Sequence, residues 1–167
     1  KRAILDARSA GDSVGSELEC VVTGMPAGVG GLLFGGMESR IAGMLYAIPG
    51  VKGVEFGRGF ALAEMRGSEA NDPIRLQNGR ITMASNNAGG INGGITNGMP
   101  VTFTVTFKPT PSIAIPQDTV DLARMENCTV TVQGRHDPCI ALRAAPIVEA
   151  AAALALWRVL DPQAGDL

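Results

Sequence analysis

Aromatic residues make up only 4% of the 167-residue chain. That is too few for the stacking platforms that grip single-stranded nucleic acid. The net charge of −2 also leaves no global basic field to attract nucleic acid. There is a single histidine, His136, so a His-rich metal site is excluded. The three cysteines (Cys20, Cys128 and Cys139) are odd in number and lack paired metal-ligand spacing. They read as reduced thiols of a cytoplasmic protein. Charged residues are only 18%, yet no uninterrupted apolar run is long enough to span a bilayer. The opening residues, KRAILDARSAGD, are too polar for a secretory signal. The expectation is a cytoplasmic chain with neither a nucleic-acid nor a membrane partner.

What is abundant is glycine, with 22 residues and no period. The length suits one domain with a real core. The glycines concentrate before one strand. Asn86, Asn87, Gly89, Gly90, Asn92, Gly93, Gly94, Asn97 and Gly98 crowd a short window. Gly takes positive φ freely and Asn tolerates it. Such a loop can turn successive N–H groups toward an anion or let a flat ligand approach the main chain. It can equally be a surface loop joined to an ordinary edge strand. The glycine spacing fits neither a P-loop nor a dinucleotide fingerprint. The strand that follows, VTFTVTF (101–107), alternates Val101, Phe103, Val105 and Phe107 with three threonines. That is the period of a half-buried strand, and it delivers Lys108 to a fixed place. Pro109 and Pro111 stiffen the exit.

The rest of the chain reads as alternating strands and helices. Residues 1–16 are small and polar, like a linker. Residues 17–24 read as a strand stopped by Gly24 and Pro26. Met37, Ile41, Met44, Leu45 and Ile48 share a helical face, which Pro49 and Gly50 end. Residues 51–57 read as a strand and 60–67 as a helical turn. In IRLQNGRITM, Asn78-Gly79 suits a two-residue type I′ hairpin. Residues 128–134 read as another strand. The segment 144–160 is apolar almost all round and reads as a helix buried between layers. The tail, 161–167, reads as frayed. The hairpin favours antiparallel pairing, so the expected class is α+β, with helices packed on a mostly antiparallel sheet.

The densest cluster of reactive side chains is Arg135-His136-Asp137, followed by Pro138 and Cys139. It should lie at a sheet edge, since it follows a strand. Arg135 offers a planar fork for phosphate or carboxylate. Asp137 is either a general base or half of a salt bridge with Arg135. His136 reads as structural.

Three segments together resemble chorismate synthase: SNNAGGINGGITNGMPVTFTVTFKPTPSI, IPGVKGVEFGRGF continuing to GSEANDPI, and GRHDPCIALRAAPIVEA. They occur in the family's order at family-like separations. The resemblance covers nearly the whole chain but only the C-terminal half of the family. The N-terminal half, with its two histidine segments and first arginine cluster, has no counterpart here.

The resemblance implies a β-α-β sandwich in which helices lie between four-stranded sheets. This half would supply one sheet and part of the helical layer. It also implies a lyase that converts 5-enolpyruvylshikimate 3-phosphate to chorismate by 1,4-elimination of phosphate, with reduced FMN and no net redox change. Matched by motif, Arg135 contacts flavin and substrate, and Asp137 handles a proton at the flavin. Lys108, Pro109, Thr110, Pro111 and Ser112 contact FMN, as do Gly93 and the Ile48, Pro49, Gly50 turn. Gly50 stands where the family usually has Ala. NADP enters only if the parent reduces its own flavin, which the sequence leaves open. The family is a homotetramer, so self-association is expected. Without the other half, the chain alone is expected to be inactive. The alternative readings are a non-catalytic anion- or flavin-binding module, which would bind FMN on its own, and a structural fragment with no activity of its own.

Overall fold

A computed structural model describes residues 1–161. In chain order the elements are α1 (Arg2–Ser9), β1 (Ser16–Val22), α2 (Met37–Tyr46), β2 (Val51–Phe56), α3 (Gly67–Ala70), β3 (Ile74–Gln77), β4 (Arg80–Met83), β5 (Ile91–Asn92), β6 (Ile95–Thr96), β7 (Val101–Phe107), β8 (Gln117–Asp121), β9 (Glu126–Val130) and α4 (Ala141–Leu160). The expected tail lies outside the described residues from position 162 onward.

The threonine-alternating strand is the axis of the fold. β7 is the middle strand of a three-stranded antiparallel sheet ordered β1-β7-β2. It is therefore not an edge strand. Val101, Phe103, Val105 and Phe107 are almost completely buried, while the threonines between them are half-buried. α2 packs on β2 and α4, and α4 packs on β1. Met37, Ile41 and Leu45 of α2 meet Val148, Ala152 and Leu156 of α4 over the apolar face of β7. Burying each large apolar side chain contributes roughly 1.5–3 kcal/mol, so this one face carries most of the stabilisation. The class is the α+β arrangement read from the sequence, with three strands in this sheet where the resemblance implied four.

Several boundaries moved. α1 occupies positions expected to be a linker, with Ala7 buried. The expected strand 128–134 is instead β9, paired with β8 as an exposed hairpin, and residues 131–134 lie outside it. β8 escaped notice because QDTVD is polar and follows Pro116. α4 begins at Ala141, ahead of Pro146. Pro146 lies in the second turn, where it has no N–H to give the Leu142 carbonyl, but the first turn still forms, with the Ala144 amide donating to the Ile140 carbonyl at 3.0 Å. The helix can therefore start a turn earlier, which brings Arg143 onto it.

α4 also departs from the expected burial. Its small residues Ala144, Ala151, Ala152 and Ala155 face the core, but Leu142, Ile147, Leu154 and Trp157 remain 46–75% exposed. One side of the helical layer is thus covered by a sheet and the other is open.

The glycine-rich stretch is mostly packing. Gly57 and Gly89 both have positive φ, and a Cβ on either would overlap the other's backbone. Gly30 and Gly94 make a similar approach. Asp72 then knits the loop in place. Its Oδ1 accepts from Ser85 Oγ at 2.6 Å and the Asn87 amide at 2.7 Å, and its Oδ2 accepts from the Ala88 amide at 2.9 Å. Asn87 is itself buried. It donates to the carbonyls of Glu69 and Ala70 and accepts from Arg58 Nε.

Partial burial of Asp72 works to raise its carboxyl pKa. The hydrogen bonds from Ser85, Ala88 and Asn87 outweigh that effect and leave it below the ordinary 3.8. A carboxylate with a lowered folded pKa stabilises the fold above the unfolded value, and that stability is lost as pH falls through the folded value. Asp72→Asn should therefore destabilise the chain by about 1–2 kcal/mol near neutral pH, allowing for solvent at the loop surface. The difference should shrink as pH drops below 3.8. Melting curves at neutral and acid pH check this, and a pH-independent difference would refute it.

Candidate ligand-binding cleft

β7 ends at Phe107, and the next residue is tied at once to another segment. The Lys108 amide donates to the Gly50 carbonyl at 2.9 Å. Gly50 has φ +92, and a Cβ there would reach Ile140 Cδ1 at 3.0 Å. An L side chain at this position would be strained, which accounts physically for glycine at the turn after Pro49.

Residues 108–112 then run beside the 132–138 segment. His136 joins the two. Its Nε2 donates to the Val132 carbonyl at 3.0 Å. In the neutral ring Nδ1 must then accept, and it takes the proton of Ser112 Oγ at 3.1 Å. His136 thus braces the two segments to each other. The segment after α1 ties in from the other side. Ser13 Oγ donates to the Thr110 carbonyl at 2.7 Å, the Val14 amide to Pro138, and the Ala114 amide to Gly11.

Between these segments lies a cleft of about 630 Å³, lined by Arg8, Asp12, Arg135, His136, Asp137 and Arg143 among others. Asp137 is half-buried. Its Oδ1 accepts from the Cys139 amide at 3.2 Å, and its Oδ2 lies 3.3 Å from Arg143 Nε. The ion-pair partner expected from sequence was Arg135, and here it is Arg143. The reason is local: Arg135 and Asp137 are two apart in extended chain, whereas the first turn of α4 brings Arg143 back over the carboxylate. Arg135 and Lys108 are exposed, and among the described residues neither has an ion-pair partner.

Most of the sequence-predicted site therefore gathers at one end of the sheet: Pro49, Gly50, Lys108 through Ser112, Arg135 and Asp137. Gly93 does not join them. Its neighbour Gly94 accepts from the Met37 amide at the start of α2, while Gly50 follows the end of that helix. α2 alone separates the two places by about 15 Å. Gly93 is exposed, with φ +59 and open space where a Cβ would lie.

The sequence marks Arg143, with Lys108 and Arg135, as able to answer local negative charge, but not its pairing with Asp137; Arg8 and Asp72 are not picked out as site residues. For Asp72 a signal existed, since Asp-Pro closes the GSEANDPI block. For the Arg143 contact the signal was hidden by the start of α4 ahead of Pro146, and for Arg8 none existed, because its place in the cleft depends on how α1 docks.

Thr110 Oγ1 is buried without a hydrogen-bond partner, as is Asn86 Oδ1. Two exposed cations, Lys108 and Arg135, and an unsatisfied hydroxyl at this end of the sheet suit an anionic ligand. Among the described residues there is no His/Cys/Asp/Glu cluster able to hold a metal, and no helix long and apolar enough to cross a membrane.

The family model for chorismate synthase matches residues 1–160. A chorismate synthase from Thermococcus gammatolerans is 54% identical over 150 residues, covering 90% of this chain and 42% of the relative. One from Methanothermobacter thermautotrophicus is 52% identical over 157 residues, covering 93% and 42%. One from Dehalococcoides mccartyi is 46% identical over 153 residues, covering 92% and 42%. A crystal structure of chorismate synthase superposes with a TM-score of 0.75 at 30% identity, covering 94% of this chain and 40% of that one. The chain thus spans about two fifths of the length of the relatives it matches, and it belongs to the chorismate synthase family.

Proposed function

We propose that this chain is the C-terminal part of an enzyme that converts 5-enolpyruvylshikimate 3-phosphate to chorismate and phosphate in the shikimate pathway. The observation that carries the reading is the convergence of Gly50, Lys108–Ser112 and Arg135–Asp137 at one end of the sheet, in a chain of this family. The rest of the active site comes from the remainder of the parent, and the working assembly is a homotetramer in the cytoplasm.

Lys108 and the segment to Ser112 would hold FMN together with Pro49 and Gly50, with Gly93 at the far end of α2 left outside this group, and Arg135 would contact both flavin and substrate. Reduced FMN, when bound, would supply an electron-rich ring that favours loss of phosphate without net redox change. This chain's residues do the positioning. Lys108 and Arg135 offset the negative charge of the bound phosphates and carboxylates. Asp137, with Oδ1 fixed by the Cys139 amide, holds one carboxylate oxygen at a set distance from the ligand and moves a proton there.

In the full-length enzyme, Arg135→Ala should weaken flavin or substrate binding by about 1.5–3 kcal/mol, the usual cost of losing a charge-assisted contact. Lys108→Ala should act mainly on FMN affinity. Both are read from dissociation constants for FMN and substrate. Unchanged values in both variants would remove this reading and favour a non-catalytic module.

A further inference from the structure

We propose that Arg8 and Arg143 complete, with Arg135, a three-guanidinium site for a phosphate or carboxylate group, which makes α1 part of the ligand-binding surface. The inference rests on the reading that this cleft holds ligand; it adds Arg8, which lies outside the segments that carry the family resemblance, and gives Arg143 a specific role.

The three arginines come from three separate elements and line one cleft of about 630 Å³. Arg135 lies on the loop after β9, Arg143 in the first turn of α4, and Arg8 in the last turn of α1. Among the described residues, Arg8 and Arg135 have no ion-pair partner. Both carboxylates in the cleft are already engaged. Asp12 Oδ1 accepts from the Ser13 amide at 2.8 Å, and Asp137 is shared between the Cys139 amide and Arg143. Three guanidinia against two committed carboxylates leave a surplus of positive charge. Each guanidinium carries five donors in a planar fork, which matches the oxygens of phosphate or carboxylate.

Arg8 is held there rather than trailing. Ala7 is buried beneath it, and the Asp12 amide closes back on the Ala7 carbonyl at 2.9 Å. The following residues are fastened on both sides of the cleft. Gly11 accepts from the Ala114 amide, Ser13 donates to Thr110, and Val14 donates to Pro138. These ties set the position of the last turn of α1 relative to residues 108–114 and 134–138. A cation there also complements the helix dipole, but any cation does that equally. The fork is what an anion needs, so Lys is a discriminating substitution.

The test uses the 167-residue chain and inorganic phosphate, titrated calorimetrically at low ionic strength. Arg8→Ala should raise the phosphate dissociation constant by about tenfold, and Arg8→Lys by less. Arg143→Ala should raise it more, because it also exposes the Asp137 charge. Adding Asp137→Asn to Arg143→Ala should then recover part of the loss. A chain with no saturable phosphate binding would overturn the proposal. So would dissociation constants within about twofold of the parent's in both alanine variants. In the full-length enzyme, the same variants titrated with FMN and with substrate tell which ligand's anionic group occupies the site. If Arg135→Ala leaves FMN and substrate binding unchanged while phosphate binding still depends on Arg8, the lyase reading fails and the anion site stands.

Discussion

Asp137→Asn in the full-length enzyme should lower the single-turnover rate by about 10²–10⁴, the usual loss when a positioned acid or base is removed. Asn keeps the size and can still accept from the Cys139 amide, so FMN and substrate affinity should change much less. The competing explanation is that Asp137 serves only to pair with Arg143. That pair has one well-exposed partner, with side-chain exposures of 83% for Arg143 and 22% for Asp137. A pair of that kind is worth no more than about 1 kcal/mol. The structural explanation thus predicts a small shift in melting temperature and a normal chemical step. Measuring melting temperature, flavin affinity and single-turnover rate on this one variant separates the two. A near-normal rate would sink the catalytic role whatever happened to stability.

The second large effect concerns the backbone crossing beneath the glycine-rich loop. Gly57→Ala should destabilise the chain by about 3–5 kcal/mol. Of this, about 1–2 kcal/mol comes from placing Ala at φ +58. The remainder comes from driving a methyl into the Asn87 carbonyl and the Gly89 amide. Both obstacles are backbone and cannot rotate away. The melting temperature should fall by roughly 10 °C for a chain of this size. Gly93→Ala is the matched control. It has nearly the same φ, +59, but open space around the added methyl. It should cost only about 1 kcal/mol. Similar losses in the two variants would show that conformational strain, not the crossing, sets the requirement for glycine.

These glycines illustrate how far the sequence could be read. The window 86–98 stood out as unusual, but its composition is equally consistent with a ligand cradle and with close backbone packing. Only the positions of Gly57 and Gly31, distant in sequence, decide that Gly89 and Gly94 serve packing. Local signals were legible where a single segment settles the outcome. Asn78-Gly79 adopts positive φ at both residues and closes β3 on β4. The alternation of 101–107 gave the buried face of β7 residue by residue. What local patterns could not supply was pairing. β8 is polar and weakly patterned, and it forms because β9 lies opposite it. The partner of Asp137 was missed for a different reason, since α4 starts ahead of Pro146 and its first turn folds Arg143 back over the carboxylate. The motif residues at Gly50, 108–112 and 135–137 were identified by family resemblance, while their convergence at one sheet end is a property of the topology.

The central position of β7 also has a kinetic consequence. Both of its neighbours, β1 and β2, precede it in the chain. Within this sheet neither has a partner until β7 leaves the ribosome. At ordinary synthesis rates β1 therefore waits roughly 5–15 s as an unpaired strand on the nascent chain. The cleft waits longer, because it joins residues as distant as Ser13 and Thr110, 97 positions apart, and then needs α4. Such non-local closure places this fold among the slow folders. It also makes the nascent chain, before β7 emerges, the state most exposed to strand-to-strand misassembly.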